Sequence, residues 1–243
     1  MSQKAKHIKT FFGIAISLII AGAAVYAGLW IEKNTVIEEI RFEGNNFTAD
    51  SLLLAAIESP VGLPADSVSY KKLFEDLEAL PYVKRAGANM SYRGALTLLI
   101  DEREPIALLV DGTKHYYLAV GGSTLPVIPG KAVDVPIVYG FSPQTDESLD
   151  SLESYRAVER FLIAAKSNEF SWISISEVMW DPEYGVVALG FDGDVRLLFG
   201  DNEFESKLRN WEVFYTRVAV REGIDAFKRI DFRFRDQIIT RGA

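Results

Sequence analysis

The chain has 243 residues, enough for one large or two ordinary domains, and 49% of them are hydrophobic. That content, with 12% aromatic residues, suffices for a packed core and excludes a disordered tether. The formal net charge of −8 disfavours binding to nucleic acid or anionic lipid headgroups, so a protein partner is the better expectation. The chain has no cysteine, which excludes disulfides, thiolate catalysis and cysteine-ligated metal sites.

Residues 11–31 (FFGIAISLIIAGAAVYAGLWI) carry no charge. A helix rises about 1.5 Å per residue, so this segment is long enough to cross the roughly 30 Å hydrocarbon core of a bilayer. Lys4, Lys6 and Lys9 precede it, which favours a cytoplasmic tail over residues 1–10 and places the rest of the chain outside the cytoplasm. A cleaved signal peptide is the alternative, because small residues cluster within the run. The run exceeds the usual apolar core of a signal peptide, so we expect a retained anchor.

The residues after this segment predict the order strand, helix, helix, strand, strand. Apolar and charged residues alternate in the first strand, and the second helix has apolar residues at i, i+3, i+4 and i+7. Two helices on one face of a three-stranded sheet would bury the apolar side of each element. The predicted elements are Val36–Phe42, Ala49–Ile57 with Thr48 as N-cap, Ser69–Leu80, Val83–Ser91 and Ala95–Arg103.

From Ile106 onward, after Glu104 and Pro105, short strands dominate and predict a mainly antiparallel β domain with flanking helices. Asp111 and Gly112 are typical of a hairpin turn, and three later strands predict a meander. The predicted strands are Ile106–Val110, His115–Ala119, Ile137–Tyr139, Ile173–Asp181, Gly185–Phe191, Asp194–Phe199, Phe227–Phe234 and Gln237–Arg241, with helices at Leu149–Ala165 and Phe204–Val218.

Few residues suggest catalysis. The two histidines, His7 and His115, cannot build a multi-histidine metal site outside the cytoplasm, and no phosphate loop or nucleophile motif is present. A glycan hydrolase would need only a pair of carboxylates. The candidate carboxylates are Asp101, Glu102, Glu104, Asp181 and Glu183. The first three end a strand, as solvated residues often do, and the last two lie in a turn, so we expect no enzymatic activity and no cofactor or metal.

The last predicted strand, Gln237–Arg241, is rich in β-forming residues and contains no proline. A terminal strand that follows a helix tends to lie at a sheet edge with unpaired backbone groups. Arg233, Arg235 and Arg241 add positive charge to an acidic chain. Two interpretations stay open at this point: a paired strand flanked by protective charges, or an edge that accepts a partner's strand by β-augmentation.

Several segments, taken in order, resemble the FtsQ/DivIB family of bacterial cell-division proteins. Each segment alone is weak evidence for this family, but their order after a single membrane anchor is specific to it. The matching segments are Ile37–Asn45 (IEEIRFEGN), Leu77–Val83 (LEALPYV), Leu96–Ala107 (LTLLIDEREPIA), Tyr117–Pro126 (YLAVGGSTLP), Val195–Gly200 (VRLLFG), Lys207–Tyr215 and Arg229–Arg235 (RIDFRFR).

The resemblance implies an α+β protein with a cytoplasmic tail (1–10), a transmembrane helix (11–31), a POTRA domain (35–105) and an FtsQ-type β domain (106–243). It implies a non-enzymatic scaffold in the inner membrane at the division septum. The implied partners are FtsB- and FtsL-like single-pass proteins, with other division proteins contacting the POTRA domain and no nucleic acid. It also implies help in controlling septal peptidoglycan synthesis.

The same resemblance implies that FtsB adds a strand to the terminal strand. Arg233 would pair with an acidic FtsB side chain and Phe234 would pack on apolar ones. The implied partner-binding residues are Arg233, Phe234, Arg235, Asp236, Gln237, Ile238, Ile239, Thr240 and Arg241.

This sequence departs from the family at two places: Phe234 stands where a tyrosine is expected, and Ala119–Gly122 lacks the usual acidic residue before glycine. On the POTRA surface, Arg41, Glu43 and Asn45 are weaker candidates for partner contacts. A POTRA-containing factor for outer-membrane protein assembly or translocation is the alternative function. Such factors usually carry several POTRA repeats or a membrane barrel.

Overall fold

The computed structural model describes residues 16–23, 25, 35–143, 149–190, 195–235 and 237–242. The chain forms two compact units, one ending at Glu102 and one starting at Arg103. Residues 16–23 are helical with exposed side chains, and within the described ranges no helix is long and apolar enough to cross a membrane. Most of the predicted anchor (11–31) and the whole predicted tail (1–10) lie outside the described residues, so the single span stays a prediction.

The first unit contains a three-stranded sheet in the order β1-β3-β2. β1 runs parallel to β3, and β2 pairs antiparallel with β3. The predicted succession of strand, helix, helix, strand and strand is confirmed. The elements are β1 Glu39–Glu43, a helix at Asp50–Ala56, a short 3-10 turn at Ala65–Ser67, a helix at Tyr70–Glu78, β2 Val83–Met90 and β3 Ala95–Glu102.

The core of the first unit follows from the two periodicities in its sequence. On β3, alternate residues Leu96, Leu98 and Ile100 are buried, because successive strand residues point to opposite faces. Leu73 and Leu77, four residues apart on the second helix, are buried against them. The core forms because the apolar face of the strand, which repeats every two residues, packs on the apolar face of the helix, which repeats about every 3.6 residues.

The start of the first helix differs from the prediction. Thr48 was expected to cap it, but the N-cap residue is Ala49 and no side chain caps that end. The carboxylate of Glu102 instead accepts the backbone N–H groups of Asn46, Phe47 and Thr48 at 2.6, 2.7 and 2.7 Å. Glu102 is therefore a structural acceptor that fixes the preceding loop, rather than the solvated strand end that the sequence predicted.

The second unit contains a nine-stranded sheet in the order β12-β11-β10-β9-β8-β7-β4-β5-β6. Three neighbouring pairs, β4–β7, β7–β8 and β10–β11, are parallel, and the other five are antiparallel. The predicted meander is confirmed as β8-β9-β10. The strands are β4 Ala107–Asp111, β5 Lys114–Ala119, β6 Ser123–Pro126, β7 Ile137–Tyr139, β8 Ile175–Asp181, β9 Gly185–Gly190, β10 Arg196–Gly200, β11 Phe227–Asp231 and β12 Ile239–Gly242.

Helices of the second unit pack on this sheet and on one another. Their bounds are Leu149–Ser151 (3-10), Glu153–Lys166, Glu169–Ser174, Phe204–Phe214, Tyr215–Ala219 (π-helical), Val220–Glu222 and Ile224–Ala226 (3-10). Fully buried aromatic rings fill the space between the helices and the sheet, among them Phe161, Phe199 and Trp211. The indole Nε1 of Trp211 donates to the buried Ser174 hydroxyl at 2.9 Å, so the N–H of this buried ring has a partner.

Several predicted boundaries in this unit were wrong, and one predicted helix changes type along its length. The strand expected from Ile173 starts at Ile175, because the Asn168 side chain accepts the N–H of Ser171 and begins a short helix. The helix predicted to reach Val218 is α-helical only to Phe214 and then continues as a π-helix.

Two of the wrong boundaries concern the last two strands. β11 ends at Asp231 instead of Phe234, since the N–H of Arg233 donates to the Asp231 carboxylate at 3.1 Å. β12 consequently begins at Ile239, the residue opposite Asp231, instead of at Gln237.

Candidate partner-binding edge

β12 lies at one margin of the nine-stranded sheet and pairs with β11. Its register is antiparallel, with Asp231 opposite Ile239 and Ile230 opposite Thr240. Among the residues that the structure describes, none pairs with the other side of β12, and all four of its residues are exposed. A strand with one free side carries backbone donors and acceptors that another strand can use.

Apolar side chains accompany these backbone groups. Ile238 is half-buried and packs on the core of the second unit, whereas Ile239 is exposed. Ile238 therefore faces the core and Ile239 faces the solvent, because successive residues of an extended chain point to opposite sides. Phe234, in the connection between β11 and β12, leaves 43% of its surface exposed and Ile239 leaves 41%.

A buried ion pair holds the base of this connection. The Asp231 side chain is only 3% exposed and its carboxylate faces the Arg233 guanidinium in a fork-to-fork arrangement. Arg233 Nε donates to Oδ1 at 2.9 Å and Nη2 donates to Oδ2 at 2.8 Å. Two parallel bonds of this kind fix the orientation of the guanidinium as well as its position.

The charges in this pair reinforce each other. Burial by itself would raise the pKa of Asp231, but hydrogen bonds from the Arg233 side chain and backbone, with its positive charge, lower the pKa overall. The hydrogen bond to Asp231 raises the pKa of Arg233 in turn. Lys207 lies nearby, where burial lowers its pKa, and its Nζ donates to the Phe199 carbonyl at 2.7 Å. Both cations thus position main chain close to β11.

The turn between β8 and β9 completes the surroundings of Arg233. The guanidinium carbon lies 5.0 Å from the centre of the Tyr184 ring, and Nη1 donates to the Glu183 carbonyl at 3.4 Å. Sequence reasoning considered Glu183 only as a possible catalytic carboxylate and missed Tyr184. The aromatic residue in a turn next to two acidic residues was the available signal, but its distance of about fifty residues from Arg233 concealed the contact.

The predicted partner-binding residues thus divide into several groups. Arg233 is engaged within its own chain, and Arg235 makes an exposed ion pair with Glu203 at 3.2 Å. Phe234, Gln237 and the β12 residues are exposed, Ile238 is half-buried, and Asp236 lies outside the described residues.

The carboxylates considered for catalysis make hydrogen bonds or ion pairs within the chain. Asp181 accepts the N–H groups of Glu183 and Tyr184 at 2.9 and 3.2 Å, which closes the turn. Asp101 pairs with Arg85, and Glu104 pairs with Lys166. In the described ranges no three His, Asp or Glu side chains are grouped so that they could hold a metal ion.

The weaker candidates on the first unit also have local partners. Arg41 pairs with Glu39 on the same strand, and the Asn45 side chain donates to the Thr48 carbonyl and the Asp50 carboxylate. Glu43 is exposed at the end of β1.

A family model described as FtsQ/DivIB, C-terminal related, matches residues 104–241, which is more than half of the chain. The chain belongs to the FtsQ/DivIB family. The resemblance found in the sequence is therefore confirmed, and with it the assignment to bacterial cell division.

Two relatives named cell division protein FtsQ agree with this assignment. The chain is 26% identical to the cell division protein FtsQ of Salinibacter ruber over 92% of its length and 90% of that protein. It is 28% identical to FtsQ of Rhodothermus marinus, over 66% of this chain and 61% of that protein. The extracytoplasmic domain of DivIB from Geobacillus stearothermophilus is a weak structural match, with 18% identity, a TM-score of 0.34, and coverage of 50% of this chain and 98% of that domain.

Proposed function

We propose that this protein is a non-catalytic scaffold of the division machinery that binds FtsB- and FtsL-like proteins through β12. In this proposal, residues 11–31 anchor it in the inner membrane, residues 1–10 are cytoplasmic, and the rest lies outside the cytoplasm at the septum. Residues 35–105 are the POTRA domain, with further division proteins as its partners, and residues 106–243 are the β domain. By holding its partners, the scaffold links early division components to septal peptidoglycan synthesis.

The side of β12 that no described residue occupies is the observation that supports this proposal most strongly. A partner strand laid along it would form main-chain hydrogen bonds, each worth about 0.5–1.5 kcal/mol net, without requiring any rearrangement of the described residues. The exposed side chains of Phe234 and Ile239 supply apolar contact area beside that ladder. Together they provide both affinity and a basis for selecting apolar partner residues.

The ion pair changes the role expected of Arg233. Since its guanidinium is already held by Asp231, we propose that Arg233 mainly positions the β11–β12 connection. Arg235 and Arg241, which are exposed, are better placed to contact acidic partner side chains. The assembly-factor alternative is not favoured, because the family match covers the second unit and the curated relatives are cell-division proteins.

A proline scan along β12 tests the proposal. N–H groups alternate in direction along an antiparallel strand, so of Thr240→Pro and Arg241→Pro one removes a bond to β11 and the other removes an outward donor. The outward variant should stay folded yet lose capture of the FtsB-like extracytoplasmic segment. Thr124→Pro in β6, at the opposite margin, is the matched control and should keep binding.

Truncation provides a second test. Deleting Gln237–Ala243 should abolish capture, with circular dichroism showing that the second unit keeps its secondary structure. Undiminished capture by the truncated chain, or by both folded proline variants, would rule out β12 as the docking edge.

A further inference from the structure

Two loops of the first unit hold the segment through which the chain enters it. We call residues 35–38 the entry segment. On one side, the Ile37 N–H donates to the Leu63 carbonyl at 3.0 Å and the Gly62 N–H donates to the Ile37 carbonyl at 2.8 Å. On the other side, the Glu38 N–H donates to the Gly94 carbonyl at 2.8 Å. Both loops are therefore fixed to the entry segment by main-chain bonds.

Close packing makes the second of these attachments specific. Gly94 is buried and has a φ of +85°, and a Cβ at this position would lie 2.6 Å from the Val36 carbonyl oxygen. Only glycine permits this approach without strain. The turn between β2 and β3 is thus kept beside the entry segment.

The entry segment and its two loops carry exposed apolar and aromatic side chains. Val36, Val61 and Leu63 leave 45%, 47% and 48% of their surfaces exposed, and Tyr92 leaves 74% exposed. Arg93 is exposed too, with its guanidinium carbon 5.4 Å from the centre of the Tyr92 ring. We call these five residues the proximal tip. As long as these side chains are in contact with water, their apolar surface lacks the stabilisation that burial would give.

Chain length limits where the proximal tip can be. Val36 follows Ile31, the end of the apolar run, by five residues, and five extended residues span at most about 18 Å. The polar layer on each side of a bilayer is itself roughly 5–8 Å thick. A membrane anchor at residues 11–31 would therefore hold the entry segment and its two loops beside the lipid surface.

We propose that the proximal tip inserts into the interfacial layer of the membrane and so fixes the orientation of the first unit on the bilayer. This inference rests on the anchor included in the proposed function. The three aliphatic side chains would bury apolar surface among the upper acyl groups. Tyr92 would lie at headgroup level, where amphipathic rings are favoured, and Arg93 would contact lipid phosphates.

Nearby charge indicates which lipids suit this contact. The Glu38 side chain packs close to Gly94, and the chain as a whole is acidic. Anionic headgroups would be repelled by that charge, so burial of apolar surface in zwitterionic lipid is the expected source of the interaction. Membrane contact should accordingly persist at high salt.

The absence of cysteine allows a direct test with the full chain in phosphatidylcholine nanodiscs. Single variants Val61→Cys and Tyr92→Cys would carry an environment-sensitive NBD label. Glu43→Cys is the matched control, since Glu43 is exposed at the opposite end of β1. We expect blue-shifted emission and quenching by brominated lipid at positions 61 and 92, and water-like emission at position 43.

Control measurements separate this inference from the anchor itself. Retention of the chain in nanodiscs after an alkaline wash, which releases proteins held only at the lipid surface, reports on the anchor. If the chain is retained but labels at positions 61 and 92 emit as in water, the proximal tip does not enter the membrane and the inference is wrong. If the chain is not retained, the proposed anchor is wrong, and the inference that depends on it is wrong as well. Equal blue shifts at all three positions would also overturn the inference, since they would show membrane contact without a fixed orientation of the first unit.

Discussion

Removing the Arg233 guanidinium tests the structural account of the β11–β12 connection. In Arg233→Ala the Asp231 carboxylate would lose two charge-assisted hydrogen bonds, of 2.9 and 2.8 Å, and would keep only the one from the backbone N–H of residue 233. Because the Asp231 side chain is only 3% exposed, water can replace these bonds only if the connection opens.

The expected loss of stability can be bounded. Breaking a fully buried ion pair costs about 3–5 kcal/mol, and a hydrogen bond to a charged group contributes about 1.5–3 kcal/mol. The Arg233 side chain is 30% exposed, so solvent screening reduces the penalty. We expect a loss of about 2–3 kcal/mol, equivalent to roughly 6–10 °C in melting temperature for a unit of about 140 residues.

Thermal unfolding followed by near-ultraviolet circular dichroism measures this loss. Arg235→Ala is the matched control: its ion pair with Glu203 is exposed and should contribute less than about 1 kcal/mol. Arg233→Lys should be intermediate, because an ammonium group cannot make the bidentate contact. If Arg233→Ala melts at the same temperature as Arg235→Ala, the buried pair does not stabilise this connection.

Three further predictions concern acid, a turn and a loop. Folding lowers the pKa of Asp231. The stabilisation that the Asp231 carboxylate gives the folded state should therefore be complete above about pH 4, its ordinary pKa, and should be lost as the pH falls through the lower pKa of the folded state. The stability of Asp231→Asn should depend less on pH in this acid range. Gly94→Ala should destabilise the first unit by at least about 1 kcal/mol, through its positive φ and the clash with Val36, detectable by urea unfolding. Glu102→Gln should speed hydrogen exchange in the loop of residues 46–48, while Glu104→Gln should leave that loop unchanged.

Periodicity in the sequence was enough to predict the elements of the first unit. The second helix has an apolar stripe that packs on the alternating residues of β3, and both signals are local. The cap at Thr48 was predicted wrongly for the opposite reason. Its N–H partner is Glu102, a residue 54 positions away, and no local pattern shows that such a carboxylate will satisfy a helix entrance.

The candidate site was predicted in outline and altered in detail. A proline-free terminal strand indicated a sheet margin, and the fold places β12 at one. The sequence could not show that Arg233 is bound by Asp231, or that Tyr184 lies against the guanidinium. The second contact joins the β8–β9 turn to the β11–β12 connection, which are about fifty residues apart in the chain. That difference moved the expected charge contacts towards Arg235 and Arg241.

Sequence alone determined the apolar run, the family resemblance and the kinds of element, because hydrophobic spacing and residue order express them directly. Tertiary structure alone decided the order of the nine strands, including the parallel insertion of β7 between β4 and β8. It also brought two loops, thirty residues apart, around the entry segment. Strand order and loop contact depend on which distant surfaces bury each other best, and that free energy is a property of the whole packed chain.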